Sequence, residues 1–261
     1  MKKIKFAAFV ALIVSLSSCS FYNPISTNVP SYEKKGEINL GVNLGTSADV
    51  QISTNPVEHL SIIGAASTSG SITNTTGRDV PIADSLKYDY SRNQFELGIG
   101  YYYKLTDKIQ HDIHIGYGIG SAAKRDNWLY GDADFAYSAD FTNLFIQSSL
   151  VVEIDSDVKG YLSSRFNYIS TSNFEKSAGY NNLEPQFYTT EPLRTFNEES
   201  YWLNQFGIGL IADLGPLQLS AQGQLNFRFT NELVVDERPI GVYAGVNFNI
   251  AEIISRAKKK D

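Results

Sequence analysis

Apolar and polar residues alternate along most of the chain from Gly36 onward, with the period of two that is typical of β-strands. In residues 217–228, for example, the odd positions are mostly apolar, whereas the even positions carry Gln, Ser, Asn and Arg. Ten segments follow this pattern or a less regular form of it: residues 37–44, 48–54, 59–67, 94–104, 109–120, 142–154, 158–170, 201–213, 217–228 and 240–250. The pattern therefore predicts an all-β, antiparallel fold of about ten strands.

The connections between these segments alternate strictly between long and short after the first hairpin at residues 45–47. The short ones are residues 55–58, 106–108, 155–157 and 215–216, and the long ones are residues 68–93, 122–140, 171–200 and 231–238. Outer-membrane barrels have short turns on the periplasmic side, which also holds both ends of the barrel, and long loops outside. The connections therefore predict an up-and-down membrane β-barrel with its apolar face outward. Alternation alone leaves open a soluble barrel with the apolar face inside.

The N-terminus has the layout of a cleavable secretory signal. A basic start, Met1 to Lys5, is followed by an apolar run that is too short to span a bilayer as a helix. Leu16-Ser17-Ser18-Cys19 resembles the bacterial lipobox, and Cys19 is the single cysteine of the chain. We therefore expect a lipoprotein signal peptide over residues 1–18, a lipidated linker over 19–36, the barrel over 37–251 and a basic tail over 252–261. An ordinary signal peptide with an incidental cysteine is the alternative.

Composition favours a barrel and excludes one class of partner. The chain has 16 Tyr, 15 Phe and 20 Gly, and its mean hydropathy is only −0.19, as expected when lipid-facing and polar positions alternate. A net charge of −6 argues against nucleic acid, whose phosphates attract basic clusters.

Several charged residues occupy the polar face of the predicted strands. By this register the inward-facing set is Glu37, Asp49, Glu96, Lys104, Asp112, His114, Lys159, Arg165, Asp213 and Arg228. The interior of a small barrel is close to filled by side chains, so opposite charges there must pair. A structural ion-pair plug is favoured over a narrow polar pore. Glycines at 98, 100, 116, 118 and 120 are expected to make room for larger neighbours inside.

Candidate chemistry is sparse. His111 and His114 point to opposite faces of a strand, so they cannot share one metal ion. His114 with Asp112 resembles the His-plus-acid pair of lipid-modifying outer-membrane enzymes, but no motif marks a nucleophile. We predict no catalytic residue, no metal site and no cofactor. Asp84-Ser85-Leu86 resembles the O-glycosylation site used in Bacteroidota, which makes Ser85 a candidate for modification.

Several short stretches are similar to a poorly characterised group of Bacteroidota outer-membrane β-barrel lipoproteins. They are Asn28-Val29-Pro30, Glu33 to Glu37, Gly45 to Gln51, Phe95 to Tyr102 and Gly116 to Gly120. The resemblance implies fold and location but no activity. The chain departs from many outer-membrane barrels because it continues past Phe248, either as a short amphipathic helix or as a frayed basic end.

We therefore expect a non-enzymatic outer-membrane lipoprotein barrel, with surface loops that contact a partner. The expected partners are outer-membrane lipid and a larger outer-membrane protein complex. The alternatives are a narrow channel or transporter, and a lipid-tethered soluble barrel that binds an apolar ligand.

Overall fold

The computed structural model describes residues 25–75, 86–127, 134–176, 200–229 and 240–258, and they form a closed antiparallel barrel followed by one helix. The elements are β1 Ile38–Gly45, β2 Ala48–Thr54, β3 Leu60–Thr75, β4 Leu86–Thr106, β5 Ile109–Asn127, β6 Asp134–Asp155, β7 Val158–Lys176, β8 Ser200–Asp213, β9 Leu217–Phe229, β10 Ile240–Asn249 and α1 Ile250–Lys258. Each strand pairs with the next in sequence, and β10 pairs with β1 to close the ring. The predicted ten-stranded up-and-down barrel is confirmed.

The two ends of the barrel differ. β1 begins and β10 ends at one end, which also carries the short connections between β2 and β3, β4 and β5, β6 and β7, and β8 and β9. We call this the turn end and the opposite one the loop end. Towards the loop end the central strands run further than the alternation predicts, so that β6 has 22 residues, whereas β1 has 8 and β2 has 7. At the loop end, the barrel wall therefore extends least far at the β1–β2 hairpin.

The apolar face of the wall points outward. Along β4, Phe95, Leu97, Ile99 and Tyr101 are each more than half exposed, while the alternate residues Gln94 and Glu96 are buried. From Phe95 to Tyr103 the tilted strand rises by about 20 Å, which covers most of the apolar band, about 25 Å tall, of an outer-membrane barrel. A soluble barrel would bury this face, so the structure decides the alternative left open by alternation in favour of a membrane barrel.

Residues 25–32 lie inside the barrel. Ile25, Ser26, Thr27 and Tyr32 are all at most 3% exposed. The prediction of a plain linker over residues 19–36 is therefore wrong for this stretch, which we call the plug. Prolines and weak periodicity do indicate an absence of regular structure, but they carry no information about whether such a segment is buried. Residues 19–24 lie outside the described part of the chain.

The tail after the barrel forms α1. Its first turn is capped by Asn249, whose side-chain oxygen accepts a hydrogen bond of 3.0 Å from the backbone N–H of Glu252. Glu252 also pairs with Arg256 one turn later, at 2.6 Å. Strand structure thus ends at Asn249, two residues before the predicted boundary at 251. Within the described ranges, no helix is long and apolar enough to cross a bilayer.

Candidate functional site in the barrel lumen

The centre of the lumen holds a buried ion pair. Nη1 of Arg165 on β7 lies 2.7 Å from Oε2 of Glu96 on β4. Nε and Nη2 of Arg165 also donate to Oε1 of Gln147 at 2.9 and 2.7 Å, and its guanidinium lies 4.3 Å from the centre of the Phe145 ring. Asn143 donates to Oε1 of Glu96 at 2.8 Å. These contacts satisfy two charges that are both out of reach of water, which is the condition for such a pair to be tolerated.

Glycines on the wall create the space for this packing. A Cβ atom at Gly116 would overlap the ring of Phe145, and one at Gly120 would overlap the ring of Phe141. At Gly118 it would come within 2.8 Å of the Glu96 side chain. The glycines predicted to make room for larger neighbours do so in the structure.

The upper part of the plug is held by Asp49 on β2, which is fully buried. Its Oδ2 accepts hydrogen bonds from the backbone N–H of Ser26 at 2.9 Å and from the Ser26 hydroxyl at 2.6 Å. Its Oδ1 accepts a third from Ser47 at 2.6 Å. Gln51 donates to the Ser26 carbonyl at 2.8 Å. Hydrogen bonds to a carboxylate are stronger than neutral ones, so Asp49 is the principal anchor of this part of the plug.

The middle of the plug is bonded to the barrel wall on several sides. Asn28 donates to the carbonyl of Ile52 on β2 at 3.0 Å and accepts at its own carbonyl from Gln147 on β6 at 2.7 Å. The Thr27 hydroxyl lies 3.0 Å from that of Ser163 on β7 and accepts from Gln222 on β9 at 2.5 Å. The polar side chains of the wall are thus paired with the backbone and hydroxyls of the plug.

The lower part of the plug ends in a chain of four polar side chains. The Tyr32 hydroxyl donates to the Thr54 carbonyl at 3.2 Å and lies 2.9 Å from Oγ of Ser61 on β3. Ser61 Oγ lies 2.8 Å from Nε2 of His114 on β5, and His114 Nδ1 lies 3.1 Å from Oδ1 of Asp112. Ser61, His114 and Asp112 are all fully buried.

This order of serine, histidine and aspartate is that of a nucleophilic triad. Two features of the geometry oppose that use. The His114–Asp112 contact falls short of hydrogen-bond geometry, because neither Asp112 oxygen has a donor among the described residues. Tyr32 also covers the Ser61 hydroxyl, so a substrate has no route to it while the plug is in place.

The turn end of the lumen carries a second charged group. Nζ of Lys159 on β7 lies 3.1 Å from Glu33, which follows the plug, and 3.4 Å from Asp213 on β8. Glu37, just before β1, accepts hydrogen bonds from the backbone N–H groups of Glu33 at 3.0 Å and Lys34 at 2.6 Å. Burial raises the pKa of the Glu37 carboxyl, and these two hydrogen bonds only partly offset the effect.

Apolar layers lie above and below the polar centre. Towards the loop end, the buried cluster is Ala122, Ala139, Phe141, Ile169, Tyr201 and Leu203. Towards the turn end, Val151, Tyr161 and Ile211 pack together with Val29 of the plug. Between the plug and the wall of β1, β2, β9 and β10, a cavity of about 40 Å³ remains, which is room for a few water molecules at most. A wider cavity of about 800 Å³ lies towards the loop end, beside Asp49, Gln94 and Phe141. The described residues therefore fill the lumen at the level of the plug and leave more space towards the loop end.

The predicted inward-facing charges have several locations. The structure buries Glu37, Asp49, Glu96, Asp112, His114, Lys159 and Arg165, and leaves the Asp213 side chain 18% exposed. Lys104 was wrongly placed inside. Lys104 is exposed at the turn end, close to the end of β4, where the register between β4 and β5 shifts between Lys104 and Thr106. The Arg228 side chain lies outside the described part of the structure, as do Cys19 and Ser85.

Sequence reasoning missed the plug and its partners on the wall. Ser26 and Tyr32 were assigned to a linker, and Arg92, now 1% exposed, was assigned to a loop. Ser61 is an inward residue on β3 that no motif marks. Among the described residues, no three Asp, Glu, His or Cys side chains gather as a metal site would require.

The sequence matches no protein-family profile and no curated protein. Solved structures with a similar course of chain include the outer membrane protease OmpT from Escherichia coli, with 11% identity and a TM-score of 0.47, covering 83% of this chain and 94% of that one. The translocator domain of the autotransporter NalP from Neisseria meningitidis has 11% identity, a TM-score of 0.43 and coverages of 81% and 85%. The KdgM porin in complex with disordered oligogalacturonate has 6% identity, a TM-score of 0.35 and coverages of 82% and 99%.

Proposed function

We propose that this chain is a non-enzymatic outer-membrane lipoprotein of the Bacteroidota type, anchored by its barrel and by acyl chains on Cys19. Its role is that of an accessory or structural component, which presents the loop end of a rigid barrel to a larger outer-membrane complex. The observation that carries the proposal is the filled lumen inside an apolar outer wall. Such a molecule is built to stay in a membrane and hold its loops in place.

The polar groups in the lumen support a structural role. Arg165 and Glu96 are paired, Asp49 holds the plug, and Tyr32 covers Ser61. In an open channel, charged side chains line water, whereas here they are bonded to one another and to the plug. An enzyme would need a route by which substrate reaches Ser61 or His114, both of which are fully buried.

The experiment that tests the accessory role is purification of the tagged full-length protein in mild detergent, followed by mass-spectrometric identification of bound proteins. We expect one outer-membrane protein at a fixed ratio to the barrel. The matched control replaces residues 177–199, the connection between β7 and β8, with a Gly-Ser linker of equal length. Loss of the partner, with the barrel still folded by its heat-dependent gel migration, would assign binding to the loop end. Recovery of the barrel alone from wild-type cells would contradict the accessory role.

A channel is tested separately in planar lipid bilayers. We expect the full-length protein to show no steady conductance. Replacing residues 25–32 with Gly and Ser should produce conducting events, because the plug fills the lumen between the β2 and β8 walls. Steady conductance by the unaltered protein would overturn the structural role and favour a channel.

A further inference from the structure

We infer that α1 lies in the interface of the membrane leaflet at the turn end, with Ile253 and Ile254 among the acyl chains and its basic last turn at the lipid phosphates. The partner of this helix is a lipid surface that contains anionic phospholipid. The inference goes beyond the accessory role, because it gives the turn end a binding surface of its own. It rests on the membrane barrel and is independent of acylation at Cys19.

One face of α1 is apolar and has no cover. Ile250, Ile253, Ile254 and Ala257 recur with the spacing of a single stripe along a helix. Ile253 is 40% exposed and Ile254 is 50% exposed, and no residue of the helix is buried. The described part of the barrel therefore leaves most of this stripe open to its surroundings.

The polar side of α1 holds the helix close to the wall. The guanidinium of Arg256 packs against the turn between β8 and β9, where a Cβ atom on Gly215 would lie 2.9 Å from Nη2. The backbone N–H of Asn249, which caps the helix, donates to the carbonyl of Pro216 in the same turn at 2.9 Å. The helix also contacts β1. It is thus fixed beside the rim of the barrel, with its apolar stripe on another side from Arg256.

The lipid-facing surface of the wall continues down to the level where α1 begins. Leu105 on β4, Ile154 on β6 and Leu214 just after β8 are each more than half exposed, and each lies within one residue of the end of its strand. Phe248, two residues before α1, is 40% exposed on the same outer face. Apolar side chains that ring an outer-membrane barrel are covered by lipid. The edge of the hydrocarbon layer therefore lies at the tight turns, and α1 starts at that edge.

A lipid interface also supplies stabilisation that a helix of this length lacks in water. Isolated helices shorter than about 12 residues are marginal in water, and α1 has 9 residues. The cap at Asn249 and the Glu252–Arg256 pair stabilise it only in part. Burial of Ile253 and Ile254 among acyl chains would remove their apolar surface from water, as in other interfacial helices.

The charge of the last turn favours anionic lipid. Arg256 is paired with Glu252, whereas Lys258 has no carboxylate partner within the described ranges. The sequence continues with Lys259 and Lys260. Ammonium groups next to a membrane are attracted to anionic headgroups. We therefore expect α1 to bind vesicles that contain phosphatidylglycerol more firmly than vesicles of phosphatidylcholine alone.

The test places a nitroxide spin label on each side of the helix. Ile254→Cys lies on the apolar stripe, and Ser255→Cys is the matched control on the polar side. Both are made in the full chain with Cys19→Ser, so that the label has a single target, and the purified protein is inserted into vesicles of phosphatidylcholine with phosphatidylglycerol. We expect the label at 254 to collide more with oxygen, which concentrates in lipid, and the label at 255 more with a water-soluble nickel chelate. Heat-dependent gel migration confirms that each barrel is folded.

Two outcomes would overturn the inference. Access of the nickel chelate to both labels would place the helix in water. A label at 254 that is immobile and shielded from both reagents would mean that protein, rather than lipid, covers the stripe. Equal oxygen access at 254 in vesicles with and without phosphatidylglycerol would overturn the preference for anionic lipid.

Hydrogen exchange tests the same face without a label. In these vesicles the amides of α1 should exchange faster when Ile253→Ser and Ile254→Ser are combined than in the unaltered chain. Ala251→Ser is the control, because it adds a hydroxyl group outside the stripe and should leave the exchange rate near that of the unaltered chain. The same rate in the double variant and in the control would contradict insertion of the stripe.

Discussion

Arg165 Nη1 lies 2.7 Å from Glu96 Oε2 across the centre of the lumen, and each side chain is only 2% exposed. The partners lie on β7 and β4, so the contact joins two strands that are not neighbours in the wall. Taking one partner away would leave the other as a charge with neither water nor a counter-ion.

Replacing one member of this pair should therefore be costly. We expect Arg165→Met to lower the free energy of unfolding by about 3–5 kcal/mol, because Glu96 would lose its partner while it stays buried. The double variant Glu96→Gln with Arg165→Met should recover a large part of the loss. Urea unfolding in detergent micelles, followed by tryptophan fluorescence, measures both values.

The matched control is the Glu252–Arg256 pair on α1, which is 2.6 Å long but well exposed. We expect Arg256→Ala to change stability by at most about 1 kcal/mol, since solvent screens an exposed pair. Equal losses for Arg165→Met and Arg256→Ala would show that the lumen pair is screened by water.

The anchor of the plug can be weakened without changing its size. Asp49→Asn keeps one oxygen but loses the charge and part of the acceptor capacity that Ser26 and Ser47 use. Hydrogen bonds to a charged group contribute about 1.5–3 kcal/mol, so a loss of that order in unfolding free energy is expected. Asp155→Asn, at the exposed last residue of β6, should change the free energy of unfolding by no more than about 0.5 kcal/mol. A neutral effect at Asp49 would mean that the plug is not held there.

Close packing against glycine predicts a steric effect. Gly116→Ala should destabilise the barrel by about 1–3 kcal/mol, because the new methyl group would overlap the Phe145 ring. Gly223→Ala is the control, since a Cβ atom there meets nothing nearer than 3.9 Å. Adding Phe145→Leu to Gly116→Ala should restore part of the lost stability. The two glycine variants unfolding at the same urea concentration would contradict the packing seen in the lumen.

The covered serine gives a test of the non-enzymatic proposal. A fluorophosphonate probe should leave Ser61 unlabelled in the folded full-length protein, because Tyr32 lies on its hydroxyl and both are buried. Intact-protein mass spectrometry measures the addition, and Ser61→Ala identifies the site of any that occurs. Labelling of wild type that disappears in Ser61→Ala would mean that the triad-like group is reactive and that the proposal is wrong.

The raised pKa of Glu37 predicts a pH effect on stability. Burial is its main cause, so the folded state binds the proton more tightly than the unfolded state does. The resulting stabilisation is complete below the unfolded pKa, near 4.3, and is lost as the pH rises through the folded pKa. Glu37→Gln should abolish this dependence while still accepting from the backbone of Glu33 and Lys34. Parallel stability curves for the two proteins between pH 4 and pH 8 would rule out the shift.

The barrel itself could be predicted because strand alternation is a local signal. The eight residues from Gln94 to Tyr101 are enough to show that one face of the strand is apolar and the other polar. The alternation of short and long connections then predicts a membrane barrel rather than a soluble one. The ends of the strands were predicted less accurately. β4 begins at Leu86, eight residues before the predicted start at Gln94. The exposed residues Ser91 and Asn93 are polar, so the alternation on which the prediction rests stops at Gln94.

The sequence predicts only part of what fills the lumen. Glu96 and Arg165 could both be placed inside from alternation, but their contact depends on barrel diameter and stagger, which alternation does not report. The plug left no periodic signal, because its burial is satisfied by polar partners from many strands. Ser26 bonds to side chains of the β1–β2 hairpin alone. Thr27 and Asn28 bond to Ser163 on β7, Gln222 on β9 and Gln147 on β6, a set that only the closed ring brings together.

The barrel wall encloses a segment of its own chain, which couples closure of the ring to burial of that segment. β1 and β10 form the seam, and the plug runs straight into β1 through residues 33–37. Without the plug, the buried side chains of Asp49, Gln147 and Gln222 would lose their partners in residues 26–28. Seam and plug are therefore expected to form, and to come apart, as one cooperative unit.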